Sequence, residues 1–102
     1  MNSNEKMYSG YIIEYTKVAD KFFKQHEEIR IQYEDAIKQL ITGDNPESID
    51  QKLIKGKRSK YYRIRIGNYR VIYTIINGMI IVVTTILAGP RGDVYKKMDG
   101  LK

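Results

Sequence analysis

The chain of 102 residues has no cysteine, a single histidine and no uninterrupted apolar run long enough to cross a bilayer. The missing cysteine excludes disulfides, thiolate metal ligands and a cysteine nucleophile, and it suits a reducing cytoplasm. The most apolar stretch, Val71 to Leu87, is broken by Asn77-Gly78, so it reads as two strands. A membrane helix needs roughly 20 continuous apolar residues, and none is expected. The opening residues, Met1 to Lys6, are polar and lack the apolar core of a signal peptide. Acidic residues are scarce in the second half, where only Asp93 and Asp99 occur. That scarcity speaks against a carboxylate-held metal centre, and neither a P-loop nor a Ser/His/Asp arrangement is present, so no cofactor is expected.

What is there is positive charge, unevenly placed. Residues 1–50 carry six Lys/Arg against ten Asp/Glu, and residues 51–102 carry twelve against two, giving +6 for the whole. From Gln51 to Gly92 there are nine Lys/Arg and no carboxylate. Solubility alone does not require one half to exclude acids, whereas a surface meeting a polyanion does. The length allows one domain, spanning residues 1–102, with one modest core.

Local patterns give an α+β class. Tyr11–Tyr15 is a β-prone run. Thr16 can cap a helix from about Lys17 to Gln25 with Val18, Ala19, Phe22 and Phe23 inward. A second helix from about Glu28 to Ile41 carries Tyr33, Ala36/Ile37 and Leu40/Ile41 at helical spacing and ends at Gly43. A turn at Asp44–Ser48 and a basic loop from Lys52 to Lys60 follow. Tyr61–Ile66, Tyr69–Ile76 and Met79–Leu87 then form an antiparallel meander, with Gly67-Asn68 and Asn77-Gly78 as two-residue turns. The expected architecture is an N-terminal strand and helix hairpin packed on that meander, with a short helical or irregular tail at Val94–Lys97.

Two-residue hairpins fix register. A turn at Gly67-Asn68 pairs Ile66 with Tyr69, Arg65 with Arg70 and Arg63 with Ile72. Three arginines then share one face, while Tyr62, Ile64, Ile66, Tyr69, Val71 and Tyr73 face the helices. A turn at Asn77-Gly78 pairs Ile72 with Val83 and Arg70 with Thr85, adding Met79, Ile81 and Val83 to the arginine face. The apolar end of that face calls for a cover, either the C-terminal segment or a partner helix. Arg65 opposite Arg70 is a like-charge pair that costs stability unless an anion such as phosphate sits between the forks.

The run from Tyr62 to Tyr73, with Arg63, Arg65, Gly67-Asn68 and Arg70 in place, resembles the central signature of the RelE/ParE toxins. Gly89-Pro90-Arg91-Gly92-Asp93-Val94-Tyr95 is similar to the family's closing segment. The resemblance covers most of the chain and implies a toxin of a type II toxin–antitoxin system, neutralised by a cognate antitoxin in a hetero-oligomer. It implies either of two activities: cleavage of messenger RNA in the ribosomal A site, as in the RelE branch, or poisoning of DNA gyrase, as in the ParE branch. The family's RNA-cleaving roles map by motif position onto Arg63, Arg65, Arg70, Arg91 and Tyr95, which favours the RelE-like branch. Arg63 and Arg65 stand where RelE has lysines, and Pro90 stands where many relatives have histidine. The third reading is a catalytically idle domain that only binds nucleic acid.

RNA cleavage by its own 2′-OH needs a proton acceptor, charge stabilisation at the phosphate and help for the leaving oxygen. Arginine is a poor base but a strong phosphate ligand. Arg65 and Arg70 are thus expected to hold the scissile phosphate, with Arg63 on a flanking one and Arg91 beside the leaving group. Tyr95 would stack on a base or accept the proton. Lys52, Lys55, Lys57, Arg58 and Lys60 are expected to bind RNA by meeting ribosomal RNA backbone without reading sequence. His26, at the junction of the two helices, reads as a surface residue.

Overall fold

A computed structural model describes residues 5–8 and 10–102. In chain order the elements are strands β1 (Glu5–Tyr8) and β2 (Tyr11–Tyr15), helices α1 (Lys17–Lys24) and α2 (Glu27–Thr42), then strand β3 (Gln51–Ile54). They continue as β4 (Tyr61–Ile66), β5 (Tyr69–Ile76), β6 (Ile81–Pro90) and helix α3 (Arg91–Met98). A single 3-10 turn at Pro46–Ser48 leads into β3. The strands form one mixed sheet in the order β1-β2-β6-β5-β4-β3, in which only β2 and β6 run parallel. Among the described residues no helix is long and apolar enough to cross a membrane.

The helix hairpin forms as its sequence dictates. The Thr16 hydroxyl accepts from the Ala19 backbone N–H at 3.2 Å, capping α1, and donates to the Ile86 carbonyl at 2.7 Å, tying the cap to β6. Gly43 ends α2 with φ of 81°, a conformation that suits glycine, and its N–H reaches the Gln39 carbonyl. Ala19, Phe23, Ile29, Tyr33, Ala36 and Ile37 pack on Ile13, Ile64, Val71, Tyr73 and Val83 of the sheet. Inside this layer the Tyr33 hydroxyl bonds the Thr85 hydroxyl at 2.6 Å. Val18, expected to face inward, is instead exposed, since it lies on the outer flank of α1.

Two strands correct the sequence reading. Polar Glu5–Tyr8 pairs with β2. The start of the expected basic loop is an edge strand, with Lys52 opposite Arg63 and Ile54 opposite Tyr61. Both sit at the two rims of the sheet, where neighbours on one side are enough and strong apolar alternation is absent.

The first hairpin has the expected register, Ile66 with Tyr69, Arg65 with Arg70 and Arg63 with Ile72. The second does not. Ile75 pairs with Val83 and Ile76 with Val82, so the turn is longer than Asn77-Gly78, and Met79 stands fully in solvent. The slip from the expected pairing is an odd number of residues, which turns Val83 to the helix side, where it is completely buried. An irregularity between Ile72 and Tyr73 then pairs Ile72 with Leu87 and Arg70 with Gly89, not with Val83 and Thr85. The apolar part of the arginine face is thus Ile72 with Leu87, and the chain covers it itself. Val94 and Met98 of α3 bury against these two, with Ile54, Tyr61 and Leu101 around them.

Candidate active site

The arginine face lies on β4 and β5, with α3 packed beside it over β5 and β6. Arg63 and Arg70 are each only 8% exposed, and both have a buried Nε with no hydrogen-bond partner. Arg70 turns one guanidinium nitrogen onto the Gly67 and Tyr69 carbonyls, at 3.1 and 3.0 Å. Its cross-strand neighbour is Gly89, which presents no side chain to compete for the space under α3. Arg65, directly opposite, stays half-exposed. The like-charge pair is relieved by one partner folding under and the other reaching into water.

Asp50 is the functional residue that sequence reasoning missed. It sits one position before the carboxylate-free run, and β3 brings it alongside β4. One carboxylate oxygen accepts from Arg63 at 2.7 Å, the other lies 3.9 Å from Arg65, and its backbone carbonyl accepts from the Arg65 N–H at 2.9 Å. The signal was available only through the pairing of β3, because Asp50 and Arg63 are 13 residues apart. The guanidinium of Arg63 therefore has one fixed anionic partner and one free, buried nitrogen.

Tyr95 and Arg91 enter from α3, one helical turn apart, with the Arg91 guanidinium carbon 5.5 Å from the Tyr95 ring centre. Partial burial pushes the Tyr95 hydroxyl upward, but Arg63, Arg70 and Arg91 together outweigh it and bring the pKa below 10. Their side-chain hydrogen bonding to that oxygen is the larger cause of the lowering, and the charge of Arg63 adds to it. Beside the ring runs a groove of about 540 Å³ lined by Lys52, Leu53, Ile54, Lys55, Tyr95 and Met98.

The five expected site residues are not equally placed. Arg63, Arg70, Arg91 and Tyr95 converge, whereas Arg65 lies to one side, against Asp50. Of the expected backbone-binding residues, Lys52 and Lys55 line the groove next to Tyr95. Lys57 is half-buried and bonds the Met98 and Leu101 carbonyls. Arg58 flanks the C-terminal residues, and Lys60 lines a hollow with Leu40, Ile41 and Tyr62 on the helix side of the sheet. His26 is half-buried, stacked on Phe22 with its Nδ1 donating to the Phe22 carbonyl at 2.9 Å, and it serves the junction of α1 and α2. Among the described residues no three His, Cys, Asp or Glu side chains gather as metal ligands.

No curated protein matches the chain. The toxin of a RelB–RelE antitoxin–toxin complex from Methanococcus jannaschii is similar in structure, with a TM-score of 0.54 and 29% identity, over 81% of this chain and 95% of that one. The family described as the ParE toxin of type II toxin–antitoxin systems, parDE, matches residues 11–91, from β2 to the first residue of α3. The chain therefore belongs to the RelE/ParE superfamily of type II toxins.

Proposed function

We propose that this toxin is a ribosome-dependent endoribonuclease that cleaves messenger RNA in the A site and so inhibits translation. The observation that carries the reading is the pair of buried arginines, Arg63 and Arg70, each with an unpartnered Nε beneath a tyrosine of lowered pKa. Buried guanidinium nitrogens without partners are costly, and a phosphate supplies the oxygens that would satisfy them. Fork-like donors held in a partly dry site stabilise charge that develops on phosphoryl oxygens.

In the reaction the 2′-oxygen bonds to the adjacent phosphorus while the bond to the 5′-oxygen breaks. The products are a 2′,3′-cyclic phosphate and a free 5′-hydroxyl. Tyr95, as phenolate, accepts the 2′-OH proton, and its depressed pKa raises the fraction in that form. Arg63 and Arg70 hold the nonbridging oxygens, and Arg91 stands by the leaving oxygen, which takes a proton from solvent. The ribosome supplies the alignment that a small site with a weak base lacks. Arg65 and the lysines Lys52 and Lys55 meet flanking phosphates. The whole chain, 1–102, acts as one domain in the cytoplasm. A cognate antitoxin, bound in a hetero-oligomer, is its partner besides ribosome and messenger RNA, as the antitoxin–toxin complex of the solved relative supports.

The second reading is a gyrase poison, favoured by the matching family being described for ParE. The deciding experiment adds purified toxin to cell-free translation with and without ribosomes and maps RNA ends, alongside supercoiling by purified gyrase. Cuts within codons that need translating ribosomes support the first reading. Intact RNA with trapped gyrase–DNA complexes replaces it with the second.

A further inference from the structure

Lys57 was expected to serve as one more backbone contact, yet its surroundings are those of an internal tie. Its ammonium donates to the Met98 carbonyl at 2.6 Å and the Leu101 carbonyl at 3.1 Å, and the side chain is half-buried. Two residues on, the Ser59 N–H donates to the Lys102 carbonyl at 3.0 Å. The loop between β3 and β4 thereby grips the C-terminal end of α3. The cation sits at the negative end of the helix dipole and shares the Met98 carbonyl with the Leu101 N–H. This grip matters because α3 has only eight residues, too short to hold its shape alone, and it carries Arg91 and Tyr95.

We infer that Lys57 is a positioning residue of the site: by clamping the end of α3 it holds Tyr95 over Arg63 and Arg70. The inference rests on the reading of that cluster as the working site, but the clamp itself is a property of the free protein. Released from Lys57, the helix would keep Val94 and Met98 as its anchors on the sheet, and its last turn would open more often. Tyr95 lies one turn before that end, so its oxygen would spend less time among the three guanidiniums.

The groups facing Tyr95 are Arg63 and Arg70 from the sheet, Arg91 from its own helix, and Lys52 and Lys55 across the groove. Burial opposes these cations and they outweigh it, so loosening α3 releases a net lowering and the Tyr95 pKa climbs back towards 10. The variants are Lys57→Met, which keeps the stem and removes the charge, and Lys57→Arg, which keeps a donor for the two carbonyls. Two readouts need no RNA. One is amide hydrogen exchange in α3; the other is the 295 nm phenolate titration, compared with Tyr95→Phe to isolate Tyr95 among nine tyrosines.

For Lys57→Met the exchange of amides in the last turn of α3 should quicken by about tenfold, in line with the loss of a charged hydrogen bond, while β4 and β5 stay protected. The Tyr95 titration should move up, and Lys57→Arg should restore most of both. Cleavage should fall through kcat with KM little changed, since no substrate contact is lost. Unchanged α3 exchange and Tyr95 titration, with a salt dependence of RNA binding reduced by about one counterion, would overturn the inference and return Lys57 to the RNA-contacting set. If wild-type protein cleaves no RNA at all, the nuclease reading falls while exchange and titration still decide the clamp. Should Lys57→Met fail to fold, a Lys57→Arg protein with wild-type exchange and titration sustains the clamp; one with wild-type RNA binding but a loosened α3 and an unperturbed Tyr95 pKa refutes it.

Discussion

Replacing Asp50 by asparagine separates two consequences that ion pairing at the site ties together. The Asp50–Arg63 contact is 2.7 Å, with the arginine side chain 10% exposed and the carboxylate 53% exposed. A hydrogen bond to a charged group contributes about 1.5–3 kcal/mol when buried, and a fully exposed ion pair about 0–1 kcal/mol. A half-exposed carboxylate falls between, and asparagine keeps an acceptor for Arg63, so Asp50→Asn should cost about 1 kcal/mol. For a chain of this size that is roughly 4–8 °C in melting temperature.

The same change should strengthen anion binding. It takes the net charge from +6 to +7 and removes the carboxylate that lies within 4 Å of both Arg63 and Arg65. A unit charge about 4 Å away is worth about 1 kcal/mol even at the dielectric of water. A short single-stranded RNA should therefore bind about fivefold tighter at low salt, with the gain shrinking as salt screens it. Thermal melts should show the variant below wild type in buffer and closer to it when RNA is present. Equal melting and equal RNA affinity in both proteins would show that Asp50 does not engage Arg63 in solution. A loss of affinity would show that Asp50 orders the arginines for binding rather than competing with the ligand.

Four further outcomes follow from the same structure. Burial first, then Glu34, raises the pKa of Tyr8 to about 12, and burial likewise raises those of Tyr11, Tyr15, Tyr33 and Tyr73. Their stabilisation is complete below pH 10 and lost as pH rises through the folded values, so urea midpoints should fall above pH 10. Tyr95 has the opposite sign: its depressed pKa adds stability only in alkali and loses it as pH falls through the folded value, and the alkaline limb of the cleavage profile should vanish in Tyr95→Phe. Tyr33→Phe and Thr85→Val should each cost about 1–2 kcal/mol in denaturant melts, and the double variant should cost less than their sum, because they share one buried bond. Arg70→Met should abolish cleavage while melting no lower than wild type; a loss of more than about 2 kcal/mol would make its bonds to the Gly67 and Tyr69 carbonyls structural instead.

Legibility of the fold followed how local each cause is. The cap at Thr16, the glycine stop of α2 and the Gly67-Asn68 hairpin are written within a few residues, and all three formed as read. The register of β6 was not local. Asn77-Gly78 resembles a tight turn, but obeying it would have turned Val83 away from the core, and burial of Val83 overrode it. That slip removed Val83 and Ile81 from the arginine face, and the irregularity between Ile72 and Tyr73 set Leu87 and Gly89 opposite Ile72 and Arg70. Edge strands β1 and β3 carry weak patterns, so their partners decide them. Missing β3 also hid Asp50 and left Lys57 looking like a free loop cation. The need for a cover over the apolar end was legible, and the spacing of Val94 and Met98, one helical turn apart, is what meets it.

The placement of Arg63 and Arg70 is difficult to explain by stability. Both lie on the face that Ile72, Leu87, Val94 and Met98 make apolar, each with a buried nitrogen that finds no partner. Hydrophobic side chains of similar volume in place of a buried charge are often neutral or stabilising by about 1–4 kcal/mol. A fold chosen for stability alone would therefore extend the apolar cluster across these two positions. Arginines here, beneath a short helix that lowers a tyrosine towards them, keep charge and donors assembled in a partly dry place before any ligand arrives. Such preorganisation is what stabilises developing phosphoryl charge, because no reorganisation remains to be done during the reaction. The helix that covers the face thus has two jobs that pull in opposite directions. It must pack firmly enough to hold Tyr95 in place, yet leave open the groove that Tyr95 lines with Lys52 and Lys55.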